Sequence, residues 1–105
     1  MDQHNVLKFE LPASRALELV REIAKDSSRV KFTLHAEQRM VAREITRRQV
    51  LCCLTHGHIT EGPARDVKGN WKMTMEVLSA GDVVNTVLAI DYDDRGNLVI
   101  IVTVY

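Results

Sequence analysis

The fold of this protein is decided by residues 71–104, which read WKMTMEVLSAGDVVNTVLAIDYDDRGNLVIIVTV. Apolar and polar side chains alternate over 71–77, which is the pattern of a strand with one buried face. Residues 83–91 are rich in β-branched side chains and predict a second strand, and a tight turn at 93–97 follows it. Residues 98–104 are nearly all apolar, so we expect them to form an inner strand. Together these segments predict an antiparallel meander.

Residues 58–67 precede this meander and can supply one more strand. Gly62-Pro63 interrupts the stretch, and because proline has no N–H to donate, we expect this strand at an edge of the sheet. Upstream of it the sequence is helical. The predicted architecture is therefore α+β, with N-terminal helices packed on one face of a three- to four-stranded, mostly antiparallel sheet.

Two helices are predicted in the first 43 residues. Ser14 has the position of an N-cap for a helix that runs to about residue 26. A short strand or an extended lead-in follows at 30–34, in which Thr33 can cap a second helix over residues 34–43. The apolar side of this second helix contains Ala36, Met40 and Val41.

A third helix is predicted to begin at a capping box. Thr46 and Gln49 have the required spacing, in which each side chain bonds the main chain of the other residue. The helix should end near His56. Its expected buried residues are Val50, Leu51 and Leu54.

The composition is that of an ordinary globular chain. Its 105 residues include 14 basic and 14 acidic side chains, so the formal charge is zero and a uniformly basic nucleic-acid-binding protein is excluded. The length predicts one domain over residues 1–105. The sequence contains neither a run of about 20 apolar residues nor a visible secretory signal, which predicts a cytoplasmic protein without membrane contact.

Basic charge is concentrated in residues 29–50. This fifth of the chain contains six basic and two acidic side chains, a net charge of +4, although the whole chain is neutral. The six are Arg29, Lys31, Arg39, Arg43, Arg47 and Arg48. The concentration points to an anionic partner, either nucleic acid or an acidic protein surface, but a solvated helix face explains it equally well.

His35, Arg39 and Arg43 are four residues apart and therefore share one side of the predicted second helix. Three basic groups on one stripe repel each other unless an anion lies between them. A phosphate suits this position, because guanidinium binds phosphate bidentately and imidazole transfers protons near neutral pH. The alternative is a solvated face on which His35 packs over the sheet edge. We expect the three side chains to face solvent or a groove beside the sheet.

A cluster of two thiols and two imidazoles within seven residues suggests zinc at first sight; its members are Cys52, Cys53, His56 and His58. Neighbouring helical residues point about 100° apart, so only Cys52 and His56 could share one ion, and two further ligands are missing. We therefore predict no metal site, no cofactor and cysteines that remain reduced.

Residues 33–46 carry the pattern Thr-x-His-Ala-x-x-Arg-Met-x-x-Arg-x-Ile-Thr. With the short helix and the β-meander that follow, this pattern resembles a family of small bacterial domains of unknown function that is related in fold to the RelE, ParE and BrnT toxins. The resemblance covers about residues 30–105 and leaves residues 1–28 as an extra N-terminal helical segment. The family usually has glycine where this chain has Glu44, so we expect Glu44 either to adopt a left-handed conformation or to reshape the turn.

This resemblance implies a toxin of a bacterial toxin–antitoxin system that cleaves mRNA, free or on the ribosome, without a metal ion. The ribose 2′-hydroxyl attacks the adjacent phosphate, which requires a base, an acid and cations. The implied catalytic residues are His35, Arg39 and Tyr105. The implied phosphate-binding residues are Arg43, Arg47, Arg48 and Lys72. The implied protein partner is an antitoxin, of the zinc-finger MqsA type or similar.

Two other classes of function stay open. One is a non-catalytic module of the same fold that binds protein or nucleic acid through residues 29–50. The other is a structural or regulatory domain without an active site. The near-zero net charge counts against a toxin, because many toxins of this type are basic. Salt-dependent RNA binding separates the first two classes from the third, and loss of cleavage in His35→Ala separates a nuclease from a binding module.

Overall fold

The computed structural model describes residues 10–105, so the first nine residues of the predicted segment 1–28 lie outside the described residues. The helices are α1 (Ala13–Ala24), α2 (Leu34–Arg43) and α3 (Arg47–His56), with a 3-10 turn at Ser27–Arg29. The strands are β1 (Val30–Phe32), β2 (His58–Arg65), β3 (Trp71–Ser79), β4 (Asp82–Asp93) and β5 (Gly96–Val104).

The sheet has more strands than the three or four predicted, although it is mostly antiparallel as expected. It has five strands in the order β1-β5-β4-β3-β2. Three neighbouring pairs are antiparallel, but β1 pairs in parallel with β5, so the sheet is mixed. The helices also do not all precede the strands, because β1 comes before α2 and α3. The strand count and the order of the elements were wrong because residues 30–32, which the sequence allows either as a short strand or as an extended lead-in, form a fifth strand whose partner is 69 residues away (Val30 with Val99).

Helices α2 and α3 begin where their capping residues predict. The Thr33 hydroxyl accepts a hydrogen bond from the Ala36 N–H at 3.0 Å. The Thr46 hydroxyl accepts from the Gln49 N–H at 3.1 Å, and the Gln49 side chain accepts from the Thr46 N–H at 2.9 Å, which completes the capping box. Both helix boundaries are confirmed.

Three expectations about the helices were wrong. Pro12, in extended conformation, is the N-cap of α1 and makes no side-chain cap, so Ser14 lies inside the first turn. Val41 is 80% exposed, because it points about 100° further round α2 than the buried Met40. Leu51 is only half-buried, and Cys53 takes the fully buried position on α3.

The positions of the strands agree better with the sequence. The apolar strand β5 lies between β1 and β4, which confirms the expected inner strand. Strand β2 is at the edge and its pairing with β3 is interrupted by register shifts on both sides of Glu61. Gly96, the first residue of β5 after the turn at 94–95, has a φ of 118°, a conformation that favours glycine.

One face of the sheet holds the core. The buried cluster joins the helices to strand residues that alternate on this face, and we call it the core face; its strand members are Val30, Met73, Met75, Leu88, Ile90, Val99, Ile101 and Val104. The opposite face, here the outer face, carries the intervening residues, among them Lys72, Glu76 and Asn85. Within residues 10–105, no helix is long and apolar enough to cross a membrane.

Candidate functional site

The basic side of α2 points away from the core. Ala36 and Met40 turn the opposite side of the helix inward, where both are buried. His35 and Arg43 are exposed and Arg39 is half-buried. In the part of the chain that the structure describes, these three side chains make neither a hydrogen bond nor an ion pair. We call this set the basic stripe. Its cations are therefore free to bind an external anion.

A cleft of about 250 Å³ lies where α2 ends beside the sheet. Arg43 from the basic stripe and Tyr105 line it together, with Gln49 from α3 and Asp82 from β4. Tyr105 is held there by main-chain hydrogen bonds of 2.9 Å in both directions with Asn85. The fold thus brings together two residues that lie 62 positions apart in sequence, a cation that can hold phosphate and a phenol that can stack on a base or donate a proton.

Glu44 closes α2 in the left-handed conformation, with φ 57° and ψ 43°. This is one of the two outcomes expected from its replacement of the family's usual glycine. The conformation lets the Ile45 N–H reach the Met40 carbonyl at 2.9 Å, so the helix end is satisfied despite the strain. Glu44 also lines the cleft, so two carboxylates, those of Glu44 and Asp82, share it with the Arg43 guanidinium.

The two arginines at the start of α3 differ in their surroundings. The Arg47 guanidinium donates to the Glu37 carboxylate at 2.7 Å and lies over the Phe32 ring, 4.3 Å from its centroid. Arg48 is exposed, and among residues 10–105 it has no hydrogen-bonding or ionic partner. Arg48 is thus as available to a phosphate as the basic stripe is, whereas Arg47 is already engaged in joining β1, α2 and α3.

Lys72 is not part of this group. It lies on β3, which is separated from β5 by β4, and its neighbour in the register is Ala89. Tyr105 pairs with Asn85, four residues away from Ala89 along β4, which corresponds to roughly 13 Å along the strand. Lys72 instead lines a separate cleft with Glu61 and Arg65.

The cysteines are placed for packing. Cys53 is buried, and burial raises the pKa of its thiol to about 11, which makes it a poor nucleophile and a poor metal ligand. Cys52 is half-buried, and both cysteines are free. No group of three or more His, Cys, Asp or Glu side chains in residues 10–105 is arranged to hold a metal ion. The absence of zinc stays a prediction.

Sequence reasoning missed a pairing on the outer face. His58 on β2 is the register partner of Glu76 on β3, and the imidazole Nε2 lies 3.7 Å from the carboxylate Oε1. The sequence assigned His58 to the cysteine–histidine cluster instead. The alternation over 71–77 does place Glu76 and Met75 on opposite faces of β3. Nothing in the sequence, however, sets the register of the irregular strand β2.

The fold and site define an α+β domain in which a basic helix side leads to the end of a five-stranded mixed sheet. The chain belongs to the family described as a domain of unknown function (DUF4258), which matches residues 32–105. The match begins at the last residue of β1 and so takes in the basic stripe, the cleft and the rest of the sheet. No curated protein and no solved structure gave a match to the chain.

Proposed function

We propose that this protein is a toxin-like mRNA endonuclease that binds single-stranded RNA along the basic stripe and cleaves it without a metal ion. The observation that carries the proposal is the basic stripe itself, whose cations neither anchor the fold nor pair with a carboxylate within residues 10–105. The expected relation in fold between this family and the RelE, ParE and BrnT toxins supplies the class of reaction.

The roles of the residues follow from their positions. Arg39 and Arg43 are about one helical turn apart, roughly 6 Å along the axis, so each can contact a different phosphate. Arg48 extends the cationic surface onto α3. Tyr105, beside Arg43, can stack on a base next to the bound phosphate. In the reaction the 2′-oxygen bonds to phosphorus, the bond to the 5′-oxygen breaks, and a 2′,3′-cyclic phosphate forms.

The test is cleavage of an end-labelled oligoribonucleotide by the purified chain in EDTA. We expect fragments with a 2′,3′-cyclic phosphate and a 5′-hydroxyl, and no cleavage of an all-deoxy strand of the same sequence, which lacks the attacking hydroxyl. Growth arrest and loss of cellular mRNA on induction are expected in parallel. RNA that stays intact under all these conditions would contradict the endonuclease proposal.

A non-catalytic RNA-binding module is the second candidate, and one observation favours it. Among residues 10–105, His35 has no hydrogen-bonding partner to orient its ring, whereas a group that transfers protons usually has one. Salt-dependent RNA binding without cleavage would select this candidate. Melting curves and RNA binding measured together on His35→Ala and Arg39→Ala separate either function from a purely structural role, which would lower the melting temperature and leave affinity unchanged.

The toxin proposal also includes an antitoxin, a protein that covers the site. Beside the basic stripe, α2 presents the exposed apolar side chains Leu34 and Val41. Val41 also lines a cleft of about 550 Å³ between α2 and the start of α3, together with Met40 and Ile45. This cleft suits an apolar side chain of the antitoxin. Co-expression with the cognate antitoxin should abolish growth arrest, and the uncharged change Val41→Gln should weaken that protection without affecting RNA binding.

A further inference from the structure

Four polar residues form a row across the sheet. His58 on β2 pairs with Glu76 on β3, Glu76 pairs with Asn85 on β4, and Asn85 exchanges main-chain hydrogen bonds with Tyr105. Register partners in a sheet project on the same face. The row therefore runs across one end of the sheet, from the edge strand to the Tyr105 cleft.

The row belongs to the outer face. Its members alternate with Ile59, Met75, Thr86 and Val104, which are buried in the core or pack against it. The side chains of the row are accessible: that of His58 is 67% exposed and that of Glu76 is 37% exposed. Unlike the residues that alternate with them, these polar groups can therefore meet a ligand.

The His58–Glu76 pair has a feature that His35 does not have. The Glu76 carboxylate lies 3.7 Å from the His58 Nε2, within ion-pair distance. An imidazole beside a carboxylate provides an acid and a base within reach of one phosphodiester bond. The basic stripe provides cations, but no carboxylate is ion-paired to its histidine in residues 10–105.

The pair and the basic stripe can contact one RNA strand. Three strand spacings separate His58 from Tyr105, roughly 14 Å, and Tyr105 shares its cleft with Arg43. This span is too long for His58 and Tyr105 to act on the same phosphate. Because α2 packs on the core face and the pair lies on the outer face, an RNA strand of a few nucleotides that binds Arg43 has to pass round the end of the sheet at Tyr105 to reach the pair.

We propose that Glu76 and His58 are the general base and the general acid of the RNA cleavage, an inference that rests on the proposed function. The Glu76 carboxylate takes the proton of the 2′-hydroxyl while the 2′-oxygen bonds to phosphorus. The bond between phosphorus and the 5′-oxygen breaks, and the protonated His58 gives its proton to that oxygen. Proton exchange with water then restores both groups. His35 serves as a phosphate contact and does not transfer the proton.

The test compares cleavage rate and RNA affinity in Glu76→Gln, His58→Asn and His35→Ala. We expect Glu76→Gln and His58→Asn each to lower turnover at saturating RNA by at least about 100-fold, with affinity changed less than about twofold. His35→Ala should show the reverse, weaker binding with turnover nearly retained. Glu61→Gln is the matched control, because Glu61 also lies on β2 and is the register partner of the outer-face residue Thr74. This variant should cleave RNA at the wild-type rate.

A further measurement keeps the outcome clear. In NMR spectra of the wild-type protein, a bound all-deoxy oligonucleotide should shift the imidazole resonances of His58. This measurement does not depend on whether the variants fold.

Each result decides one of two questions. If the wild type cleaves RNA and Glu76→Gln cleaves at the same rate, the pair is a surface ion pair and this inference is overturned while the endonuclease proposal stands. If the wild type binds RNA but does not cleave it, the endonuclease proposal fails, and the inference fails with it.

Discussion

The basic residues of 29–50 fall into two groups that have the same charge and opposite roles. Arg29, only 16% exposed, donates to the carbonyls of Gly96 and Asn97 and to the Asp93 carboxylate, all at 2.8–3.0 Å. Arg43, at the other end of the segment, is exposed and has no partner of this kind in residues 10–105. Arg29 links the start of β1 to residues 93–97, where β4 ends and β5 begins. Arg43 faces an open cleft.

This difference shows why charge density alone does not locate a binding surface. A guanidinium that bonds several main-chain carbonyls contributes to folding, because removing it leaves acceptors without donors. A guanidinium with no partner contributes little to folding, and repulsion from its neighbours is relieved only when an anion binds. Removing each group should therefore affect a different measurement.

The largest expected effect is on RNA binding. Replacing Arg39, Arg43 and Arg48 by Gln should weaken RNA binding by at least about 100-fold at low salt and lower the slope of log affinity against log salt by up to about three, one unit per phosphate contact. The melting temperature should stay within a few degrees of the wild type. Filter binding over a salt series and thermal melting measure the two quantities.

A matched triple variant controls for net charge. Arg15, Lys25 and Lys68 are also exposed, but they lie away from the cleft. Their replacement by Gln removes the same charge and should leave most of the affinity intact. Equal losses in the two triple variants would mean that RNA responds only to the total charge, and the comparison between the two groups of arginines would then fail.

The next effect is on stability. Arg29→Met removes the donors to Gly96, Asn97 and Asp93 while keeping the aliphatic stem, and we expect a loss of about 2 kcal/mol, or roughly 8 °C in Tm. RNA affinity of the folded protein should not change. Urea unfolding together with RNA binding checks this. A variant with normal stability and weakened RNA binding would place Arg29 with the binding group.

The sequence predicted three local features correctly: the caps of α2 and α3, the inner position of β5 and the outward direction of the basic stripe. The capping residues Thr33 and Thr46 act on main-chain groups three residues away, so the short-range pattern contains the whole interaction. The inner position of β5 follows from its apolar composition on both faces. The outward direction of the basic stripe follows from the buried Ala36 and Met40 on the other side of the same helix.

The remaining features depend on contacts between distant segments. Arg29 meets Asn97, 68 residues further along the chain, so its structural role cannot be distinguished in the sequence from the role of Arg43. The register that joins His58 to Glu76 depends on the irregular pairing of β2. Spacing alone also cannot show that Tyr105 reaches the end of α2, since that contact requires the full sheet to form.

Glu44 affects both the backbone at the end of α2 and the charge beside Arg43. A non-glycine residue in the left-handed region costs about 1–2 kcal/mol, whereas the extra freedom of glycine in the unfolded chain costs about 0.4–1 kcal/mol. Glu44→Gly should therefore stabilise the protein by about 0.5–1 kcal/mol. It also removes a carboxylate beside Arg43, so RNA affinity should rise severalfold at low salt.

Glu44→Ala separates these two effects. It removes the same carboxylate but keeps the left-handed strain, so its RNA affinity should match that of Glu44→Gly while its stability should not increase. Urea unfolding and RNA binding on the two variants give the comparison. If Glu44→Ala is as stable as Glu44→Gly, the backbone at this helix end is not strained.

The smallest expected effect is a dependence of stability on pH at the Arg29 contact. The Arg95 N–H and then the Arg29 guanidinium hold the pKa of the Asp93 carboxyl below its ordinary value of 3.8. Because the folded state favours the charged form, the contribution of Asp93 to stability is fully present above the unfolded pKa. It is lost as the pH falls from there through the lower folded pKa. Asp93 is partly exposed, so solvent screening keeps the contribution small.

Asp93→Asn should therefore melt below the wild type at pH 7, and the two should converge as the pH is lowered below about 3.8. Asp94→Asn, in the same exposed turn, is the control and should follow the wild type at every pH. In the Arg29→Met background, the difference in melting temperature between the proteins with Asp93 and with Asp93→Asn should narrow but persist, because the Arg95 N–H remains. A gap that stays constant with pH would show that Asp93 acts through the shape of the turn and not through its charge, and Arg29 would then hold the turn by its carbonyl contacts alone.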